Sequence, residues 1–185
     1  RKLWGHLKSL QSTVIFMQTG AHPDDETSKL LARLALKDGF HVVYVNAVRG
    51  HGGQNSIGPE RGDDLGYIRS EELFHAMGVF GADIGWLSET IEDPIIDFGL
   101  SKSGKETLGI WGEQYTKRQM VKMVRTFKPD IMIPTFLDVP GQHGHHRAVT
   151  EATISAFTEA NDPNLYLDLG LQTWQTNALY LPAWG

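Results

Sequence analysis

The chain has 185 residues, 41% of them hydrophobic and none of them cysteine, which allows one compact domain and excludes disulfides and thiolate metal sites. Its 17 basic and 22 acidic residues leave a formal net charge of −5 with no long block of one sign, which speaks against nucleic acid or an anionic membrane as partner. No apolar stretch approaches the roughly 20 residues of a membrane span, and the N-terminus lacks the apolar core of a signal peptide.

Thr13-Val-Ile-Phe-Met-Gln18 is rich in β-branched and aromatic residues and predicts a buried strand, ended by Gly20 and Ala21-His-Pro23. Leu30, Leu31, Leu34 and Ala35 then recur at helical spacing, with Thr27 or Ser28 to cap the start and Gly39 the end. Val42 to Val48 reads as the second strand, and the Gly-rich stretch from Arg49 to Gly66 as a loop. A helix follows on Ile68, Leu73, Ala76 and Met77, closed by Gly78, and a weak third strand lies around Ile84 to Leu87. Ser88 to Gly112 has no clean period and reads as either a functional loop or an excursion around a site. A helix from about Glu113 to Phe127 buries Met120, Val121, Val124 and Phe127 and ends before Pro129. Strand Ile131 to Phe136 carries Pro134 inside it, a residue without the ladder N–H. Gly141 to His146 leads into a helix with Val149, Ala152 and Ala156 on one side, and Ala178 to Leu181 predicts a last strand, ended by Pro182.

Strands alternating with helices predict a doubly wound α/β domain, a mostly parallel, Rossmann-like sheet with helices on both faces; in a 3-2-1-4 order its first and fourth strands are neighbours. Residues 1–185 form one domain with no internal repeat, and 1–12 are an extension. Because the chain begins with Arg1 and stops at Trp184-Gly185 after an apolar run, it reads as a piece of a longer protein with possible further domains. The compartment stays open, since a removed signal peptide would leave such a start.

Open α/β sheets bind ligands beyond the carboxyl ends of their strands, where the strand order reverses. Ala21-His-Pro-Asp-Asp-Glu26 follows the first strand and Gln142-His-Gly-His-His-Arg147 the fourth, so four of the eight histidines collect there. Catalytic zinc takes three protein ligands and keeps a fourth position open, and without cysteine these must be imidazole and carboxylate. His22, Asp25 and His146 supply such a set. Asp24 is left over, beside the place of a metal-activated water, as a general base. Two other readings stand: the acids at 24–26 as caps of the following helix, and the histidines at 143, 145 and 146 as a solvated loop or a fortuitous metal tract. Trp86, Trp111 and Trp174 read as packing residues rather than sugar platforms, and His51 as an exposed loop residue.

His-Pro-Asp-Asp-Glu at 22–26, paired with His143-x-x-His146-Arg-Ala148, resembles the signature pair of the PIG-L/LmbE-like deacetylases. That family includes the N-acetylglucosaminyl-phosphatidylinositol de-N-acetylase and the mycothiol and bacillithiol pathway deacetylases. Arg69-x-x-Glu72 before Ala76-Met-Gly-Val79, and Arg125 to Asp130 before the fourth strand, extend the resemblance over nearly the whole chain. It implies a hydrolase that removes an N-acetyl group from an amino-sugar-like small molecule or glycan. His22, Asp25 and His146 would hold one Zn2+ per chain, with Fe2+ or Co2+ as other fits. Asp24 would be the base, and His143 a protonated group that stabilises the oxyanion or assists the leaving amine. Arg69 would touch an anionic or sugar substrate, or else pair with Glu72 along its helix. A metal-retaining binding or structural module of a larger protein, and hydrolysis of a different amide or ester, are the alternatives.

The motifs at Arg49–Glu60, Gly66–Glu72 and Phe98–Lys102 resemble long, multidomain members. Two departures stand out: Gly144-His145 replaces the usual Pro-Asp, and no tyrosine stands between Phe136 and His143. Either His145 disfavours protonation of His143, or Asp138 or another acid of the long loop supports it.

Overall fold

The computed structural model describes residues 7–53, 55–90 and 92–183. In chain order the elements are β1 (Ile15–Gly20), α1 (Ser28–Arg33, continued by a π-helical turn at Leu34–Asp38), β2 (His41–Asn46), α2 (Gly62–Phe80), β3 (Asp83–Trp86), α3 (Gly104–Trp111), α4 (Glu113–Phe127), β4 (Ile131–Pro134), α5 (Gly144–Glu159) and β5 (Ala178–Leu179). The sheet order is β3-β2-β1-β4-β5 and every pairing is parallel, β1 lying between β2 and β4. The doubly wound α/β expectation holds, and the sheet takes the 3-2-1-4 order. Residues 1–6 of the expected extension, and Trp184-Gly185, lie outside the described residues. No helix among the described residues is long and apolar enough to cross a membrane.

Strand side chains alternate between two cores. Phe16, Val42 and Tyr44 meet Leu31 of α1 and Leu73 and Met77 of α2. Met17, Val43, Val45 and Met132 meet Trp111 of α3, Met120, Val121 and Val124 of α4, and Ala148, Val149, Ala152 and Ala156 of α5. Truncating one of these fully buried side chains, Met120 for example, to alanine costs about 2–5 kcal/mol.

Several boundaries differ from the sequence expectation. Helix α2 begins at Gly62, where Asp63 and Asp64 favour its N-terminus, and runs through Gly78. It closes at Gly81, whose positive φ of 75° lets its N–H reach Met77 O. The stretch read as loop from Ser88 to Gly112 contains α3, begun by Ser103, whose hydroxyl accepts the Glu106 N–H at 3.1 Å. β5 pairs only with Ile131 and Met132. Thr135 N donates to Thr19 on the β1 side, so the nitrogen of Pro134 faces β5, just past the Tyr180 N–H to Met132 O bond, and the β4–β5 ladder ends there.

Candidate functional site

The carboxyl end of β1 turns sharply. Asp25 N donates to His22 O, and the Asp25 carboxylate reaches back to accept the N–H groups of Ala21 (2.9 Å) and His22 (2.8 Å) on Oδ2. The same oxygen lies 3.4 Å from His22 Nδ1, while Oδ1 lies 3.2 Å from His146 Nε2. Burial pushes this carboxyl up, but hydrogen bonds and charge from His146 and His22 outweigh it and hold Asp25 well below the usual carboxylate range. The site thus keeps a fixed anion between two imidazoles.

Asp24 is the strained member of the turn. Its φ is 97°, a region that a residue with a Cβ enters at about 1–3 kcal/mol. Its side chain is 76% exposed, and Arg69 of α2 grips it: Nη2 donates to Asp24 Oδ1 at 2.9 Å and to Pro23 O at 2.7 Å, while Nη1 donates to Gly50 O at 2.9 Å. Of the two readings of Arg69, the intrahelical bond to Glu72 is replaced by these contacts, because Arg69 faces the turn rather than the solvent side of its helix. The acids at 24–26 do not cap α1. Its N-cap position, Thr27, is tied instead to Gln18 of β1, exchanging bonds through both its N–H and its hydroxyl.

The second motif opens α5. His143 holds the N-cap position, and the rings of His22, His143 and His146 lie with centroids 5.2–5.3 Å apart. Phe136 stacks on His146 at 4.1 Å. His143 Nε2 meets two backbone groups of the 97–101 loop, Gly99 O at 2.9 Å and Ser101 N at 3.2 Å. Accepting from Ser101 leaves its Nδ1 protonated; donating to Gly99 leaves Nδ1 bare. Burial lowers the His143 pKa, against the bond to Gly99, which raises it. No carboxylate hydrogen-bonds this ring among the described residues. Asp138 is spent on Arg147 (2.5 Å), so the acid from the long loop that stands near is Asp97.

His145 is fully buried, its Nδ1 3.0 Å from His22 Nε2 and 3.9 Å from Asp97 Oδ1. Burial, followed by the charges of His22, His143 and His146, pushes its pKa down to about 2. Gly144 explains why the loop comes so close: a Cβ there would stand 2.0 Å from Ser101 Oγ and 2.7 Å from Ser103 O. A larger residue at 144 is excluded unless the loop retreats.

All six residues singled out in the sequence, His22, Asp24, Asp25, Arg69, His143 and His146, therefore meet at one edge of the sheet. Two sets of side chains bring ligand atoms within 4.8 Å of one another: His22, His143 and His146, and His22, Asp97 and His145. Imidazole and carboxylate in this density suit zinc, iron or cobalt. Asp97, Gly99 and Ser101 were missed by sequence reasoning. Their only signal was the Phe98–Lys102 motif, which carried nothing to say which strand end it would cover. The tryptophans pack as expected, Trp111 donating to Ile96 O and Trp174 to Pro129 O, while Trp86 carries the Arg49 guanidinium 3.7 Å over its ring.

A family model described as PIG-L, GlcNAc-PI de-N-acetylase, matches residues 17–157. A 1D-myo-inositol 2-acetamido-2-deoxy-alpha-D-glucopyranoside deacetylase 1 of Frankia casuarinae is 28% identical over 86% of this chain and 56% of its own length. A mycothiol S-conjugate amidase of Streptomyces coelicolor is 26% identical over 81% of this chain and 54% of its own. The chain thus spans little more than half the length of these curated relatives. Among solved structures, the N,N'-diacetylchitobiose deacetylase of Pyrococcus horikoshii, complexed with its inhibitor MPG, superposes with a TM-score of 0.69 at 18% identity, over 94% of this chain and 62% of that one. GalB, a 4-carboxy-2-hydroxymuconate hydratase of Pseudomonas putida, gives 0.68 at 14%, over 91% and 65%. At these identities the likeness is one of fold.

Proposed function

The chain belongs to the PIG-L family of GlcNAc-PI de-N-acetylases, and from that premise we propose that it is a metal-dependent hydrolase that removes the N-acetyl group from an amino-sugar-like small molecule or glycan. The observation that carries this reading is the fixed Asp25 anion between His22 and His146, with the exposed carboxylate of Asp24 next to it. His22, Asp25 and His146 would hold one divalent ion, zinc by default, with Fe2+ or Co2+ as other fits. Such an ion supplies Lewis-acid polarisation of the amide carbonyl and makes water nucleophilic near neutral pH.

The chain's own residues do the rest. Asp24 takes the proton from water as it adds to the carbonyl carbon, and passes it to the departing nitrogen as the C–N bond breaks, giving acetate and a free amine. Arg69 keeps that carboxylate aimed out of the turn and stands where a substrate hydroxyl or anionic group would also meet it. His143, its Nε2 held at Gly99 O and the Ser101 N–H, stands to offset charge developing on the carbonyl oxygen. Burial lowers its pKa, against the bond to Gly99, which raises it.

Relatives named as deacetylases of acetamido sugars and disaccharides favour an N-acetylated amino sugar. A relative named as an amidase supports a second reading, hydrolysis of another amide by the same residues. A purely structural module would need no exposed carboxylate beside its ion. The test is acetate release from N-acetylglucosamine, its inositol conjugate and N,N'-diacetylchitobiose, before and after chelation and metal return, with elemental analysis of the purified protein. Turnover lost on chelation and restored by metal is the expected result. Turnover of none of these sugars but of other amides selects the second reading, and a protein that retains no metal sinks both.

A further inference from the structure

A histidine that ligates a metal has one nitrogen on the ion and nearly always gives the N–H of the other to an acceptor, which fixes its tautomer and the direction of its ring. In His22, Nδ1 is the nitrogen turned toward Asp25, 3.4 Å from Oδ2. It therefore faces the place of an ion shared with Asp25 and His146. The other nitrogen, Nε2, lies 3.0 Å from His145 Nδ1. We propose that His145 is the positioning residue of this centre: its bare Nδ1 accepts the Nε2–H of His22 and holds that ring in the one tautomer that leaves Nδ1 free for the ion. The inference rests on the metal-dependent reading above.

The surroundings of His145 suit this task. Its ring is fully buried between Phe98, edge-on at 4.5 Å, and Trp111, tilted at 5.0 Å. Trp111 is itself pinned by its N–H to Ile96 O at 2.7 Å, so the acceptor cannot swing away. Among the described residues His145 Nε2 has no hydrogen-bond partner. With an ion on His22 Nδ1, the proton of that ring must sit on Nε2, facing His145, whose own proton is then on the unpartnered Nε2. The arrangement leaves one buried N–H unsatisfied and keeps bare the nitrogen that faces the metal ligand. Asp97 lies 3.9 Å from the same Nδ1, beyond hydrogen-bond distance, and its Oδ1 already accepts the Gly99 N–H. It adds negative potential beside the His22 proton without competing for it.

The rival arrangement is an ion on the second set, His22, Asp97 and His145, and the experiment separates the two. In cadmium-loaded, nitrogen-labelled wild-type protein, scalar coupling to the metal should appear on His22 and His146 and be absent from His145. The Nδ1 of His145 should have the shift of a bare nitrogen and its Nε2 that of a protonated one. His145→Phe keeps a ring between Phe98 and Trp111 but removes the acceptor, and should bind zinc ~10–100-fold more weakly in chelator competition. His145→Asn, whose side-chain carbonyl stands where Nδ1 stood, should stay within a few-fold of wild type, and this variant and the wild-type spectra decide the matter if His145→Phe does not fold. Metal coupling to His145, or a folded His145→Phe that binds zinc as tightly as wild type, overturns the proposal. A wild-type protein that binds no metal overturns the reading beneath it instead, before any variant is made.

Discussion

The two halves of the candidate site are built in opposite ways. The turn at 21–26 is closed by its own residues: Asp25 accepts from Ala21 and His22, and Asp24 N donates to Glu26. The segment at 143–146 has its shape imposed from outside, by Gly99, Ser101 and Asp97 of a loop more than forty residues earlier in the chain. The turn therefore depends first on its own side chains, with Arg69 of α2 as its outside support at Pro23 and Asp24. A long-range assembly fails at any of its contact points, and it is there that a closely packed glycine and a buried histidine are found.

The largest effect should come from the local turn. Asp24→Asn keeps the shape and a partner for Arg69 but cannot accept a proton, so turnover should fall by roughly 10²–10⁴-fold with metal content and melting temperature nearly unchanged. A variant that loses metal as well would show that the two adjacent aspartates do not divide their work. Asp25→Asn should do the converse. Removing the anion between His22 and His146 should weaken metal binding by more than the ~10–100-fold expected for an outer partner, read by chelator competition.

The assembled half should break more gradually. Gly144→Ala puts a Cβ against Ser101 Oγ and Ser103 O, and the forced retreat of the loop should cost about 1–3 kcal/mol in urea unfolding of the metal-free protein. No loss of stability would mean that the loop is not held against α5. Acid should act on the same half. Because His145 is held down to about 2 from an ordinary 6.5, the unfolded chain takes up a proton that the folded chain refuses. Its contribution to stability is therefore full above 6.5 and is lost as pH falls below it. The slope limit is about 1.4 kcal/mol per pH unit. Metal-free wild type should show a falling urea midpoint on acidification, and His145→Phe a flatter one. Equal slopes would place the acid-sensitive group elsewhere.

How much was legible in the sequence follows from the same contrast. Hydrophobic runs broken by glycine and proline give the order of strands and helices, because one face of each must be buried whatever surrounds it. Alternation of elements gives parallel strands but leaves their order open between the doubly wound patterns, and the sheet itself decides it. That His22, Asp24, Asp25, His143 and His146 would come together was legible because motifs at the ends of β1 and β4 meet wherever those strands are neighbours. The helix α3 was hidden, although Ser103 and Glu106 are a start signal, because only eight residues follow before Gly112 closes it and its apolar positions do not form a clean period. What Arg69 holds was decided only by the tertiary structure, since a guanidinium on a helix face has several partners within reach and burial selects one. The roles of Asp97 and Ser101 and the inward turn of His145 were likewise decided there. Nothing local to residues 97–101 or 143–146 specifies their meeting; the sheet and the close approach at Gly144 bring them together, and an imidazole on the inner face of α5 is then buried against whatever that meeting supplies.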